Sequence, residues 1–199
     1  MQSCGTWGAN TRTDKLRAVA ASDGTAILAW DDARTDPNDV YVQNVELDGS
    51  LGIAPAAATP YGCGYNPAGS LLAVGSTPSI GTTFTVGVTD PAASMASGSS
   101  SVLVVAIAPA PGFPCGIPLG GTGMSAPGAV GELLVDLGTL VLPILSGPPW
   151  TAPASPSTFP FPLPAAPFLI GVTVEMQGAL IEAGGRIGLS NGLHVRIGP

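Results

Sequence analysis

The sequence predicts an all-β protein, an antiparallel β-sandwich preceded by a small three- or four-stranded blade-like meander. Of the 199 residues, 28 are glycine and 21 are proline, and both residue types destabilise helix interiors but favour turns. Apolar residues make up 45% of the chain, which is enough to bury a core. Several short segments alternate between apolar and polar residues, and none has the helical period.

Charged residues are concentrated near the amino terminus. The chain has 13 acidic and 6 basic residues and a net charge of -7. After Asp48 there is no lysine and a single histidine, His194. Because no basic patch is available to neutralise phosphates, we expect neither nucleic acid nor an anionic membrane surface as a partner. No apolar run is long enough to predict a membrane span.

Residues 12–52 are predicted to form the blade-like meander. Its strand candidates are separated by turn residues and occupy three segments, residues 15–20, 25–30 and 40–47. Residues 1–11 are predicted to be a disordered or expression-derived terminus. They lack the basic and apolar regions of a signal peptide, so we expect the signal of a secreted protein to lie outside this chain.

Residues 53–60 are predicted to be a linker, because they contain two prolines and no hydrophobic period. Residues 61–199 are predicted to form the β-sandwich. Its strand candidates are residues 83–89, 101–108, 132–136, 140–145, 168–177, 186–189 and 193–197. Asn191-Gly192 is typical of a hairpin turn between the last two. Residues 160–168 predict a stiff proline-rich connector.

Alternation assigns faces to two of these strands. In residues 83–89 it places Phe84, Val86 and Val88 together on one face. In residues 168–177 it directs Glu175 outward, and we expect the neighbouring apolar side chains to face the core.

The three cysteines, Cys4, Cys63 and Cys115, allow one disulfide and one remaining thiol. Cys63 and Cys115 both lie beside turn glycines in a composition typical of extracellular proteins. We therefore predict that these two are paired, closing a loop whose cross-link is worth roughly 4 kcal/mol. The alternative is three free or buried thiols.

The meander resembles a known repeat. The segments Trp30-Asp31-Asp32-Ala33-Arg34, Asp39-Val40-Tyr41-Val42-Gln43 and Asp48-Gly49 are similar to the W-x-D-x-R … D-x-Y-x-Q … D-G repeat of secreted bacterial β-propeller proteins. The resemblance implies a single blade. Because a blade packs against neighbouring blades, self-association through the blade edge is one expectation.

Residues 61–199 resemble an uncharacterised carboxy-terminal β domain of large secreted bacterial proteins. The resemblance is carried by several glycine-containing motifs, residues 61–64, 112–116, 127–135 and 189–198. It implies an extracellular or cell-surface location and brings no catalytic residues with it.

The acidic loop of the meander is the candidate cation site. Calcium binds closely spaced carboxylate and carbonyl oxygens, and Asp31, Asp32, Asp36 and Asp39 provide the carboxylates. The alternative is that these residues form turns and caps. One histidine and three scattered cysteines do not make a zinc ligand set, and we expect no other cofactor.

Catalytic motifs are incomplete. Residues 121–127 resemble the nucleophile motif of subtilisin-like proteases, but Gly123 occupies the position of the nucleophile. A glycosidase pair would have to come from the acidic side chains of the sandwich, and these are expected on solvent-facing positions: Glu132, Asp136, Glu175 and Glu182. His194 has no assignable acidic partner in the sequence and is expected to face solvent.

The sequence therefore predicts a non-catalytic extracellular structural or interaction module of a secreted or cell-surface bacterial protein. One alternative is a carbohydrate-binding module, in which Tyr65 and Trp150 contact a polysaccharide and Tyr61 and Phe113 complete an aromatic platform. A second alternative is a secreted polymer hydrolase. Another protein chain is the other expected partner.

Overall fold

The structure is a computed structural model that describes residues 17–20, 26–32, 39–45, 52, 55–152 and 155–199. The chain divides into two compact units, residues 1–54 and residues 55–199. The described residues form thirteen β-strands and two three-residue 3₁₀ helices. The predicted all-β class is confirmed.

The first unit contains three antiparallel strands, β1 (Arg17–Ala20), β2 (Ala26–Asp32) and β3 (Asp39–Val45), in the order β1-β2-β3. Trp30 pairs with Tyr41 across β2 and β3. The three strands are those that the sequence predicts, within two residues at each end, and they confirm the meander. The predicted terminus, residues 1–11, lies outside the described residues.

The second unit contains the remaining strands, which are β4 (Ala57–Tyr61), β5 (Leu71–Ala73), β6 (Thr83–Val88), β7 (Ser100–Ala106), β8 (Ile117–Gly120), β9 (Val130–Leu133), β10 (Leu145–Ser146), β11 (Ser157–Pro162), β12 (Thr173–Ile181) and β13 (Ile187–Arg196). The 3₁₀ helices are Leu137–Thr139 and Pro167–Leu169.

Two antiparallel sheets of the second unit form a sandwich. One has the order β10-β7-β12-β13-β4 and the other has the order β11-β6-β5. Between them lies an apolar core to which both sheets contribute buried side chains. Phe84, Val86 and Val88 face this core from β6, as the alternation of that segment predicts. Met176 and Leu193 face it from the larger sheet.

The outer face of the five-stranded sheet is covered by chain that lies between β7 and β10 in sequence. This segment includes the β8–β9 hairpin, in which Ile117 pairs with Leu133 and Gly120 with Val130. Leu134, which follows β9, donates its N–H to Oε1 of Gln177 on β12, at 2.8 Å. Part of the face opposite the core is therefore also removed from solvent, and it holds the candidate site.

Two predicted connections are strands. Residues 57–60, predicted as a linker, belong to β4, which pairs with β13 at the edge of its sheet. Residues 160–162, predicted as part of a connector, belong to β11 at the edge of the smaller sheet. Proline is tolerated on edge strands because its missing N–H is not needed for pairing there. Because of Pro60 and Pro160, the sequence predicts connections where the chain forms edge strands.

The predicted hairpin at Asn191-Gly192 is wrong. Both residues lie within the continuous strand β13, and the chain turns instead between β12 and β13, where Gly185 has a φ of +85°. Asn191 uses its side chain in the interior, donating from Nδ2 to the carbonyl of Leu71 at 3.1 Å and accepting from the N–H of Leu71 at 2.8 Å. It serves a neighbouring strand rather than a turn.

Candidate functional site

We refer to the segment between β7 and β10 that lies on the outer face as the cover. Two side-chain amides join β9, which belongs to the cover, to β13. Gln177 donates from Nε2 to the carbonyls of Glu132 (2.7 Å) and Ser190 (2.9 Å). Asn66 donates from Nδ2 to the same two carbonyls, both at 2.8 Å, and its Oδ1 accepts the N–H of Glu132 at 2.9 Å. These bonds satisfy polar groups that water cannot reach, which is the condition for burying them.

Glu132 is buried, with 1% of its surface exposed. Its Oε2 accepts the N–H of Cys63 at 3.1 Å, while Oε1 is buried and has no hydrogen-bond partner among the described residues. Gly62 has a φ of +136° and brings the backbone close to this carboxylate, since a Cβ there would lie 3.5 Å from Oε2. The prediction that Glu132 faces solvent is wrong; it anchors the loop that carries Cys63.

Glu175 and His194 are paired across β12 and β13. His194 Nδ1 lies 2.6 Å from Glu175 Oε1, and 5% of the Glu175 side chain is exposed against 39% of the His194 side chain. The hydrogen bond to Glu175 raises the pKa of His194 above its ordinary value, against the opposing effects of burial and of Arg196. The predictions that Glu175 faces solvent and that His194 has no acidic partner are both wrong.

Tyr61, at the end of β4, lies against the same carboxylate. Its ring crosses Gly192, where a Cβ would come within 2.4 Å of the ring, so this position of β13 requires glycine. The hydroxyl donates to the carbonyl of Leu134 at 2.9 Å. Burial, and then the charge of Glu175, raise the pKa of Tyr61 well above its usual range.

The disulfide Cys63–Cys115 closes one corner of this region and confirms the predicted pairing. Phe113 packs on Tyr61 with ring centroids 5.1 Å apart. Tyr65 and Phe113 each lie two residues from a bridged cysteine and are 53% and 55% exposed. We refer to Cys63, Cys115, Tyr65 and Phe113 as the disulfide corner. Tyr65, Phe113 and the adjacent Tyr61 are three of the four aromatic residues that the sequence singled out.

Trp150, the fourth aromatic residue, cannot contact a ligand because 1% of its surface is exposed and it belongs to the apolar core. Its indole Nε1 donates to Thr89 Oγ1 at 3.3 Å, and its backbone N–H donates to the carbonyl of Ser99 at 2.8 Å. The sequence predicts Trp150 as a polysaccharide contact, whereas the structure places its ring in the core.

The glycine-rich segment that resembles a protease motif is structural. Met124 is fully buried, and its carbonyl accepts Nη2 of Arg186 at 2.9 Å. Gly123 occupies the nucleophile position of the protease motif. A Cβ there would lie 2.6 Å from the Cβ of Ala129, so the close packing at this position requires glycine. Ser125 is exposed and next to this packed residue.

The candidate calcium site lies outside what the structure describes, since Asp36 and the side chains of Asp31, Asp32 and Asp39 fall there. Within the described residues, no group of three or more His, Cys, Asp or Glu side chains is arranged to hold a metal ion. Among the described residues, no helix is both long and apolar enough to cross a membrane.

The sequence missed the residues that build the covered face. Asn66 and Gln177 look like ordinary polar residues of a loop and a strand, and Tyr61 appears only as one aromatic among several. The available signal was Gly62 and Gly192, which allow close approaches at Glu132 and Tyr61. Fold and site together define a disulfide-bridged β-sandwich with a covered polar face. No family model, no curated protein and no solved structure matches the chain.

Proposed function

We propose that this chain is a non-catalytic structural or interaction module of an extracellular protein. One observation carries the proposal: every acidic side chain of residues 55–199 is engaged in a hydrogen bond within the chain. Glu175 pairs with His194. The other four accept hydrogen bonds from backbone N–H groups: Asp90, Glu132, Asp136 and Glu182.

A catalytic acid or base must reach the atom it protonates. The carboxylates of Glu132 and Glu175 are at most 5% exposed. Glycoside cleavage needs two carboxyl groups that flank an accessible bond, so burial of these two supports the non-catalytic proposal over the hydrolase alternative. The Cys63–Cys115 disulfide supports an oxidising, extracellular setting.

An activity screen tests this proposal. The purified chain and its Glu132→Gln, Glu175→Gln and His194→Gln variants are incubated with polysaccharide, protein and ester substrates. We expect no turnover above the blank for any of the four. Turnover by the parent chain that disappears in one of these variants, with folding confirmed by circular dichroism, would contradict the proposal.

The disulfide corner favours carbohydrate as one partner of such a module. Tyr65 and Phe113 present aromatic surface on loops that the disulfide constrains, and Phe113 is further held by Tyr61. Rigid amphipathic rings provide contact area with little loss of conformational entropy on binding. Sugar binding through these two rings is our second candidate function.

Retention on insoluble polysaccharides tests the second candidate. We expect the parent chain to bind one of a panel of polymers and Tyr65→Ala or Phe113→Ala to reduce retention about tenfold or more, a loss of about 1.4 kcal/mol for each ring. Phe168→Ala is the matched control, because Phe168 is 81% exposed on a separate 3₁₀ helix. Equal retention of all three variants would contradict binding at the corner.

For the first unit, the resemblance to a propeller blade leads us to propose association with a second copy of the meander. Val19 and Ile27 are register partners, and Val42 lies on the same face by alternation. Their exposed fractions are 65%, 45% and 65%. Burying such a face stabilises a partner contact. Light scattering at increasing concentration should show a dimer that Val19→Lys and Val42→Lys weaken; a monomer throughout would contradict the proposal.

A further inference from the structure

Glu175 lies where three neighbouring strands of the five-stranded sheet bring their outward side chains together. His194 on β13 contacts its Oε1 at 2.6 Å, and Tyr61 on β4 lies beside it. Its Oε2 is buried and has no hydrogen-bond partner among the described residues. A buried charge that is only partly satisfied is costly unless an opposite charge compensates it.

His194 is the group placed to supply that opposite charge. Arg196, two residues further along the same face of β13, turns its Nε to the carbonyl of Pro55 at 3.1 Å. Tyr61 is an acid whose phenol is already bonded to Leu134. The groups that face His194 from the surrounding strands are therefore Glu175, Arg196 and Tyr61, and of these only Glu175 favours the charged imidazole.

Tyr61 connects this pair to the cover. Its ring fills the space above Gly192, its hydroxyl holds the carbonyl of Leu134, and Phe113 packs on its other side. A movement that displaces Tyr61 or His194 would bring water to Glu175. Displacing Tyr61 loosens β4 and the disulfide corner together, because Tyr61 ends β4 and Cys63 follows two residues later.

We propose that Glu175, His194 and Tyr61 form a proton-dependent latch that holds β4 at the edge of the five-stranded sheet and the disulfide corner against the outer face of that sheet. With His194 protonated, the buried carboxylate has a charge-assisted hydrogen bond and the latch is closed. With His194 neutral, Glu175 keeps a weaker bond and an uncompensated charge, which favours opening of β4 towards water.

The direction of the pH dependence follows from the His194 pKa, which is raised in the folded protein. The closed form binds the proton more tightly than the open form does. The stabilisation is therefore complete below the ordinary histidine pKa of 6.5 and is lost as the pH rises through the raised value. The opening constant changes up to tenfold for each pH unit between the two values.

His194 is the only histidine of the chain, so its NMR titration is unambiguous. We expect the full chain to titrate His194 above its ordinary pKa and Glu175→Gln to lower that pKa. Protection factors of the β4 amides, corrected for intrinsic exchange, should fall several-fold between about pH 5 and about pH 8. The His194→Gln variant should lack this dependence, and it remains informative if Glu175→Gln fails to fold.

Glu182→Gln is the matched control, since it removes one acidic charge just beyond the other end of β12. It should leave both the His194 titration and the pH dependence of β4 unchanged. The proposal is overturned if Glu175→Gln does not change the His194 titration, if β4 protection in the parent chain is independent of pH, or if His194→Gln retains the dependence of the parent.

Discussion

Along β12 the two faces of the five-stranded sheet are buried to a similar extent by different chemistry. On the inner face Met176 and Leu193, 4% and 1% exposed, pack against Phe84 in the apolar core. On the outer face Glu175 and Gln177 are 4% and 2% exposed, although both are polar. The inner face is stabilised by removal of apolar surface from water, and the outer face by hydrogen bonds that replace those to water.

This difference determines which substitutions each face tolerates. Apolar cores accept side chains of similar volume at small cost. A buried hydrogen-bonded group, in contrast, leaves its partner unsatisfied when it is removed. We therefore expect the outer face to be the more selective of the two, even though its residues look like ordinary surface residues in the sequence.

The largest expected effect comes from releasing the cover of the outer face. Reduction of Cys63–Cys115, or replacement of both by serine, should lower the free energy of unfolding by about 4 kcal/mol, because 52 residues separate the two cysteines. Urea unfolding with and without reductant measures this loss. Cys4→Ser is the control for the third thiol and should leave the response to reductant unchanged. A reductant-independent midpoint would show that the cover does not depend on its cross-link.

A smaller effect separates the two faces directly, using adjacent residues of β12. Gln177→Leu should cost about 1–3 kcal/mol, because the N–H of Leu134 loses the acceptor that it finds at 2.8 Å. Met176→Leu, on the inner face, should cost less than about 1.5 kcal/mol, because it keeps both volume and polarity. Both losses can be read from denaturant midpoints. Equal losses, or a larger one at Met176, would contradict the proposed difference between the faces.

The inner face could be predicted from the sequence because alternation follows directly from strand geometry. Phe84, Val86 and Val88 lie in the core as predicted, and Val174 and Met176 face it. The same alternation correctly directs Glu175 away from the core. It could not show that a second layer covers that side, since the cover is built from the β8–β9 hairpin, which has no strong period.

The candidate site was the part that the sequence could not give, because its contacts join distant segments. Asn66 and Glu132 are 66 residues apart, and Tyr61 and Leu134 are 73 apart. The disulfide was predictable because cysteine pairing leaves few alternatives. Trp150 shows the opposite case: the sequence predicts it as a polysaccharide contact, whereas its indole is buried and bonds to Thr89, 61 residues away in the chain.

The smallest expected effect concerns charge outside the covered face. Glu182 and Arg186 pair at 3.3 Å in the turn between β12 and β13, with 20% and 14% of their side chains exposed. Glu182→Gln removes the ion pair but keeps an oxygen that can accept the N–H of Ala96, so it should cost about 0.2–1 kcal/mol. Arg186 retains its bond to the carbonyl of Met124.

Thermal unfolding at low and high salt measures the stability that the Glu182–Arg186 ion pair contributes. Salt screening weakens the pair in the parent chain, whereas the variant has no pair to weaken. The difference between the two chains should therefore shrink as salt is added. A loss as large as that of Gln177→Leu, unchanged by salt, would mean that Glu182 belongs with the buried hydrogen-bonded residues. The boundary between covered and exposed polar groups would then have to include the turn between β12 and β13.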